Sequence, residues 1–221
     1  PVQDDPTRVR QLYALGVRWM LVAYNRNNAA GGGCMDDDQG LTALGRQIID
    51  EMNAAGMMVC MSHCGARTAR DALEYSRSPA ILSHSNPAAL TTHPRNVSDA
   101  LMKACAAKGG VIGLNGIGPF LGARNHLVPA LVRRIGYVAD LVGPEHVGLG
   151  VDYVFDCDEL DADVQTNPEM HSPGINGALA MVEPEDMPAI VEGLCSIGLS
   201  DDAIRGILGE NWLRIARQIW K

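Results

Sequence analysis

Met57-Met58-Val59-Cys60-Met61-Ser62-His63 and Ala80-Ile81-Leu82-Ser83-His84-Ser85-Asn86 are the two stretches that decide how this chain reads. Each is a short apolar run that closes on Ser-His and gives way to a helical pattern, as a parallel (β/α) fold does when it presents functional groups at the C-terminal ends of its strands. A lone histidine there satisfies a buried backbone group as readily as it binds a metal. Two in one context, on neighbouring strands about 5 Å apart, point to a shared site. Two satisfied core histidines remain the alternative at this level.

Outward from these runs, strand and helix signals alternate. Helical spacing of Val9, Leu12 and Tyr13 covers residues 4–15, and a strand signal covers 16–24. After Gly31-Gly32-Gly33, residues 41–55 read as an amphipathic helix stopped by Gly56. Strands are expected at 57–62, 80–83, 111–114 and 147–151, with helices at 66–76, 98–108 and 127–141. A long loop rich in Asp, Pro and Gly, 155–182, precedes closing helices at 185–197 and 201–220, the last capped by Ser200. Five strand signals joined by helical crossovers imply an α/β fold with parallel pairing in a single domain, 1–221.

Composition narrows the function classes. The 221 residues are 47% hydrophobic, enough for a sizeable core. A net charge of −8 argues against nucleic acid or an anionic membrane as partner. No apolar stretch approaches the roughly 18 residues of a membrane span. The six cysteines show no CxxC pair; Cys60, Cys105 and Cys195 sit in apolar segments as free thiols do. A reducing, cytoplasmic setting is the default expectation, with any targeting segment upstream of Pro1.

Further motifs follow in order: Gly40-Leu41-Thr42 to Glu51-Met52-Asn53, Pro94-Arg95-Asn96-Val97-Ser98-Asp99, Gly109-Gly110-Val111-Ile112-Gly113, and His146-Val147-Gly148-Leu149-Gly150-Val151-Asp152. With the two Ser-His runs they resemble the membrane (renal) dipeptidase family of zinc hydrolases, from Leu15 to Gln218. The resemblance implies a TIM-like (β/α)8 barrel of the metal-dependent hydrolase type, of which this chain holds about strands four to eight. It implies hydrolysis of a dipeptide or related small amide by a zinc-activated water. His63 and His84 fall on ligands of one zinc, Asp152 on the acid/base carboxylate, and Arg95 on the clamp for the substrate's free carboxylate. Tyr24 and Asn115 fall on substrate-binding positions at the ends of strands four and seven.

Departures from the pattern carry expectations too. Tyr24 stands where dipeptidases have a histidine, and Cys60 where many relatives have Asp; the Tyr24-Asn25 version resembles a divergent bacterial branch. The family's first-strand His-x-Asp and zinc-bridging Glu would precede Pro1, so at most one zinc is expected here. Five strands without the other three leave open edges, implying aggregation, a homo-oligomer or a missing N-terminal segment, and no peptidase activity alone. The alternative is a non-catalytic relative acting as scaffold or small-ligand binder. His93, in the loop before Arg95, is read as a surface-loop residue with ligand contact as the alternative, and His126, His146 and His171 as structural, without partners.

Overall fold

The computed structural model describes residues 2, 4–176 and 179–221. Its centre is a row of parallel staves in chain order: β1 (Trp19–Leu21), β2 (Met58–Cys60), the extended residues 80–82, β3 (Ile112–Leu114) and β4 (Val147–Leu149). The middle stave, expected as a strand over 80–83, is narrowed to two parallel bridges, Ile81 to Cys60 and Leu82 to Ile112. Their hydrogen bonds still join the two strand pairs: Ile81 N–H donates to Val59 O, and Gly113 N–H to Leu82 O. The expected strand over 16–24 shrinks to three residues.

Helices α1 (Arg8–Ala14), α2 (Ala43–Ala55), α3 (Ala66–Tyr75), α4 (Asp99–Ala107), α5 (Gly118–Leu121) and α6 (Leu127–Val142) follow in order. Helix α2 shows why the local sequence folds this way. The Thr42 hydroxyl accepts from Gly45 N–H, the Gly45, Ile48, Ile49, Met52 stripe is buried, and Gly56 ends the helix at φ 86°. The stave side chains alternate between two apolar clusters, as period-two backbone requires. Val59, Met61, Leu82, Ile112, Leu114 and Val147 join the main core with Ile49, Met102 and Ile135 of the helices. Met58, Cys60, Ile81 and Val111 face the other way, against Ile215, Ala216 and Ile219.

Those last residues belong to the C-terminal helix. The expected helix over 201–220 is instead α9 (Asp201–Arg205) and α10 (Asn211–Ile219), separated by a π turn at residues 206–210 in which Gly209 leaves helical geometry. The break aims α10 across the N-terminal ends of the staves. Asn211 donates to Pro144 O before β4 and to Val147 O at its first residue, Arg214 to Gly109 O before β3, and Lys221 Nζ to Ala54 O before β2. The expected long loop contains α7 (Cys157–Thr166), capped by Asp156, and α8 (Met187–Ser196) follows a short 3-10 turn. Among the described residues, no helix is long and apolar enough to cross a membrane.

Candidate active site

Every stave ends on a residue singled out by sequence: Tyr24 beyond β1, His63 beyond β2, His84 beyond the middle stave, Asn115 beyond β3 and Asp152 beyond β4. Among the described residues, the four non-glycine positions at positive φ are Asn25 (57°), His63 (68°), His126 (57°) and Asp152 (62°). Three of them lie at these stave ends. Left-handed backbone costs a non-glycine residue roughly 1–2 kcal/mol, so its concentration here marks a place where side-chain direction outweighs local ease.

His63 Nε2 and His84 Nε2 converge to 2.7 Å. Asn25 Nδ2 donates to Met170 O, leaving Asn25 Oδ1 to accept from His63 Nδ1–H at 2.8 Å. Neutral His63 therefore turns a bare Nε2 towards its neighbour. His84 Nδ1 lies 2.7 Å from Ser83 Oγ, itself 3.0 Å from Cys60 Sγ. Burial lowers the pKa of both imidazoles, that of His84 to about 4, so both are neutral at pH 7. Close approach of the middle stave depends on glycine: a Cβ at Gly150 would collide with Ser83 O.

Beside the imidazoles lies Arg95, 3% exposed. Its Nε and Nη1 have no hydrogen-bond partner, Nη2 reaches His84 O at 3.4 Å, and Phe120 lies 5.4 Å from the guanidinium. Burial lowers its pKa. A buried charge with idle donors is costly unless an anion meets it. Asn115 Nδ2 donates to Asp152 Oδ2 at 2.9 Å, while Asn115 Oδ1 accepts from Ile117 N–H at 2.7 Å, so both amide ends are engaged. The Tyr24 ring stacks on His63 at 4.1 Å, and burial raises its phenol pKa, keeping it a neutral donor. Tyr24, His63, Arg95 and Asp152 line one cavity of about 120 Å³. A larger cavity of about 420 Å³ beside β1 is lined by apolar groups such as Met20, Val22 and Ile48; the chemistry gathers in the smaller one.

The family model for membrane dipeptidase (peptidase family M19) matches residues 1–221. The chain belongs to the membrane dipeptidase family. Among curated membrane dipeptidase relatives, dipeptidase verJ of Clonostachys rogersoniana is 30% identical over 217 residues, which are 97% of this chain and 51% of that protein. An uncharacterised dipeptidase of Schizosaccharomyces pombe is 37% identical over 155 residues, 66% of this chain and 37% of its own. The chain thus spans about half or less of these two relatives. An amidohydrolase structure from Pseudomonas aeruginosa superimposes with a TM-score of 0.87 at 30% identity, over 98% of this chain and 69% of the other. Its fold is shared at lower identity by the M19 dipeptidase AC, with a TM-score of 0.78 at 22% identity over 96% and 59%.

For this family member, sequence reasoning passed over several groups at the site. Asn25, Ser83 and the segment around α7 drew no functional reading. Asp156 with Asp158 and Glu159 was an available helix-start signal for α7. Its want of any buried residue hid it. His93, expected on a loop surface, accepts from Arg95 N–H through Nδ1 and bonds Pro173 O through Nε2. His171 and His146, expected without partners, meet Asp163 Oδ2 at 2.7 Å and Gly110 O at 2.9 Å. Cys195 is exposed rather than packed.

Proposed function

We propose that this chain is the C-terminal, site-bearing part of a metal-dependent dipeptidase, its staves being strands four to eight of a (β/α)8 barrel and residues 1–221 one domain. One observation carries the reading: two neutral imidazoles converge, and one of them, His63, lines a cavity with an incompletely bonded buried guanidinium and a carboxylate bonded to Asn115. The donor set fits zinc, for which neutral imidazole nitrogen is an ordinary ligand. His63 and His84 would hold it, with Asn25 and Ser83 orienting their rings. When bound, zinc supplies Lewis-acid polarisation of the peptide carbonyl and acidifies water.

The chain's own groups do the rest. Arg95, whose Nε and Nη1 carry no partner in the chain, offers its guanidinium to the free carboxylate of the dipeptide, a planar multi-donor match that a lysine cannot give. Asp152, its carboxylate fixed by Asn115, takes a proton from the attacking water and passes one to the leaving amine. Tyr24 donates its phenolic hydrogen to the carbonyl oxygen as charge builds there. Since the chain covers about half of its curated relatives, the activity is proposed for the intact natural protein. The free edges of β1 and β4 would be covered there by further chain or a second copy.

A second reading, a carboxylate-binding relative without catalysis, draws on one fact: among the described residues no cluster of three His, Cys, Asp or Glu side chains forms a metal site. Kinetics on the intact protein with added zinc separates the two. The dipeptidase reading expects turnover of L-Ala-L-Ala, with Arg95→Lys raising KM at least tenfold for the dipeptide but under twofold for its C-terminal amide. Binding without turnover selects the second reading. Equal losses on both substrates remove Arg95 from the site.

A further inference from the structure

The cavity of about 120 Å³ is far below the roughly 300–1,000 Å³ usual for ligand pockets. One segment supplies four of its lining residues, Leu160 of α7, His171, Ser172 and Ile175, beside the buried Arg95 and the exposed Asp152. That segment is weakly anchored: α7 has no buried residue, Ser172 is the one buried residue described between 157 and 175, and Phe155 just before α7 is 89% exposed. Sparse burial is the mark of a segment that opens locally at low cost.

Among the described residues, three hydrogen bonds join this segment to the body. Asn25 Nδ2 donates to Met170 O at 2.7 Å, Arg26 Nε to Glu169 O at 2.6 Å, and His93 Nε2 to Pro173 O at 3.0 Å. Two of the three holders face both ways. Asn25 Oδ1 accepts from His63, and His93 Nδ1 accepts from the backbone N–H of Arg95. His93 also packs on Phe120, the ring beside the Arg95 guanidinium.

We propose that Asn25 and His93 are positioning residues that latch residues 157–175 as a lid, each bonding the lid with one polar end and a member of the site with the other. Admission of a dipeptide lifts the lid by releasing Met170 and Pro173. Reclosure restores the orientation of the His63 ring and of the Arg95 backbone together. The reading of the lid as a gate for a dipeptide rests on the proposed function; the latch itself does not.

Hydrogen exchange on the intact protein tests the latch without any assay of activity. Asn25→Asp keeps the acceptor for His63 and loses the donor to Met170. His93→Phe keeps the packing on Phe120 and loses both bonds, while His93→Gln returns a donor. Exchange across 157–173 should rise at least fivefold in Asn25→Asp and His93→Phe, fall back towards wild type in His93→Gln, and stay unchanged in α2 and α4. Wild-type exchange across 157–173 in both Asn25→Asp and His93→Phe would overturn the proposal. In the intact protein with zinc and L-Ala-L-Ala, His93→Phe should raise KM at least fivefold with kcat within twofold, and His93→Gln should recover KM. An unchanged KM would refute the coupling to Arg95, whereas absence of turnover in wild type would refute the dipeptidase reading and leave the exchange result to judge the latch.

Discussion

The two ends of the stave row are built on opposite terms. At the N-terminal ends α10 runs from β4 towards β1, and most polar groups of this C-terminal segment meet backbone carbonyls: Asn211 two, Arg214 two through its Nη atoms while its Nε has no partner, and Lys221, just past the helix, one. At the C-terminal ends three non-glycine residues sit in left-handed backbone, Arg95 keeps idle donors, and two imidazoles face each other. Satisfied groups hold a fold together, and unsatisfied ones wait for a ligand. In a (β/α) architecture the first belong below the strands and the second above them.

Changes at the upper end should therefore alter chemistry and spare stability. If Tyr24 donates to the carbonyl oxygen as proposed, Tyr24→Phe should lower kcat of the intact protein roughly a hundredfold with its melting temperature unmoved. An unchanged kcat would reduce Tyr24 to a ring stacked on His63.

At the lower end the reverse is expected. Asn211→Ala strips two carbonyls of their donor and should cost about 2 kcal/mol, lowering Tm by roughly 4–8 °C for a chain of this size. Zinc binding should persist at wild-type affinity. A large loss of zinc affinity in the folded variant would erase the distinction between the two ends.

A smaller effect of opposite sign sharpens the contrast. Arg95→Met replaces a buried, incompletely bonded charge with an apolar chain of similar reach and should raise stability by about 1 kcal/mol, seen as a higher urea midpoint. The same variant should lose binding of L-Ala-L-Ala. A destabilised Arg95→Met would mean that the guanidinium holds the fold rather than the ligand.

Most of the scaffold was legible because burial leaves a periodic trace. The stripe in α2 and the apolar runs of the staves read correctly as helix and strand. What escaped lacks such a trace. Helix α7 buries nothing, so its polar cap was its only signal. The bend between α9 and α10 turns on Gly209 inside a pattern that reads as continuous helix. At the site, the residue types at the stave ends were visible in the sequence. The double duty of Asn25 was not, since it joins His63 to Met170, 145 residues away, through a left-handed turn. His93 was hidden likewise: its partners are a backbone N–H two residues on and a carbonyl 80 residues on.

Zinc titration of the 221-residue chain, wild type beside His84→Ala, tests most directly whether the C-terminal ends of the staves form a metal site. Two imidazoles supply half of an ordinary zinc shell, so wild type should bind one zinc weakly, and His84→Ala should bind none while melting within a few degrees of wild type. Two tightly held ions per chain, no zinc at all in wild type, or undiminished binding by His84→Ala would contradict the account.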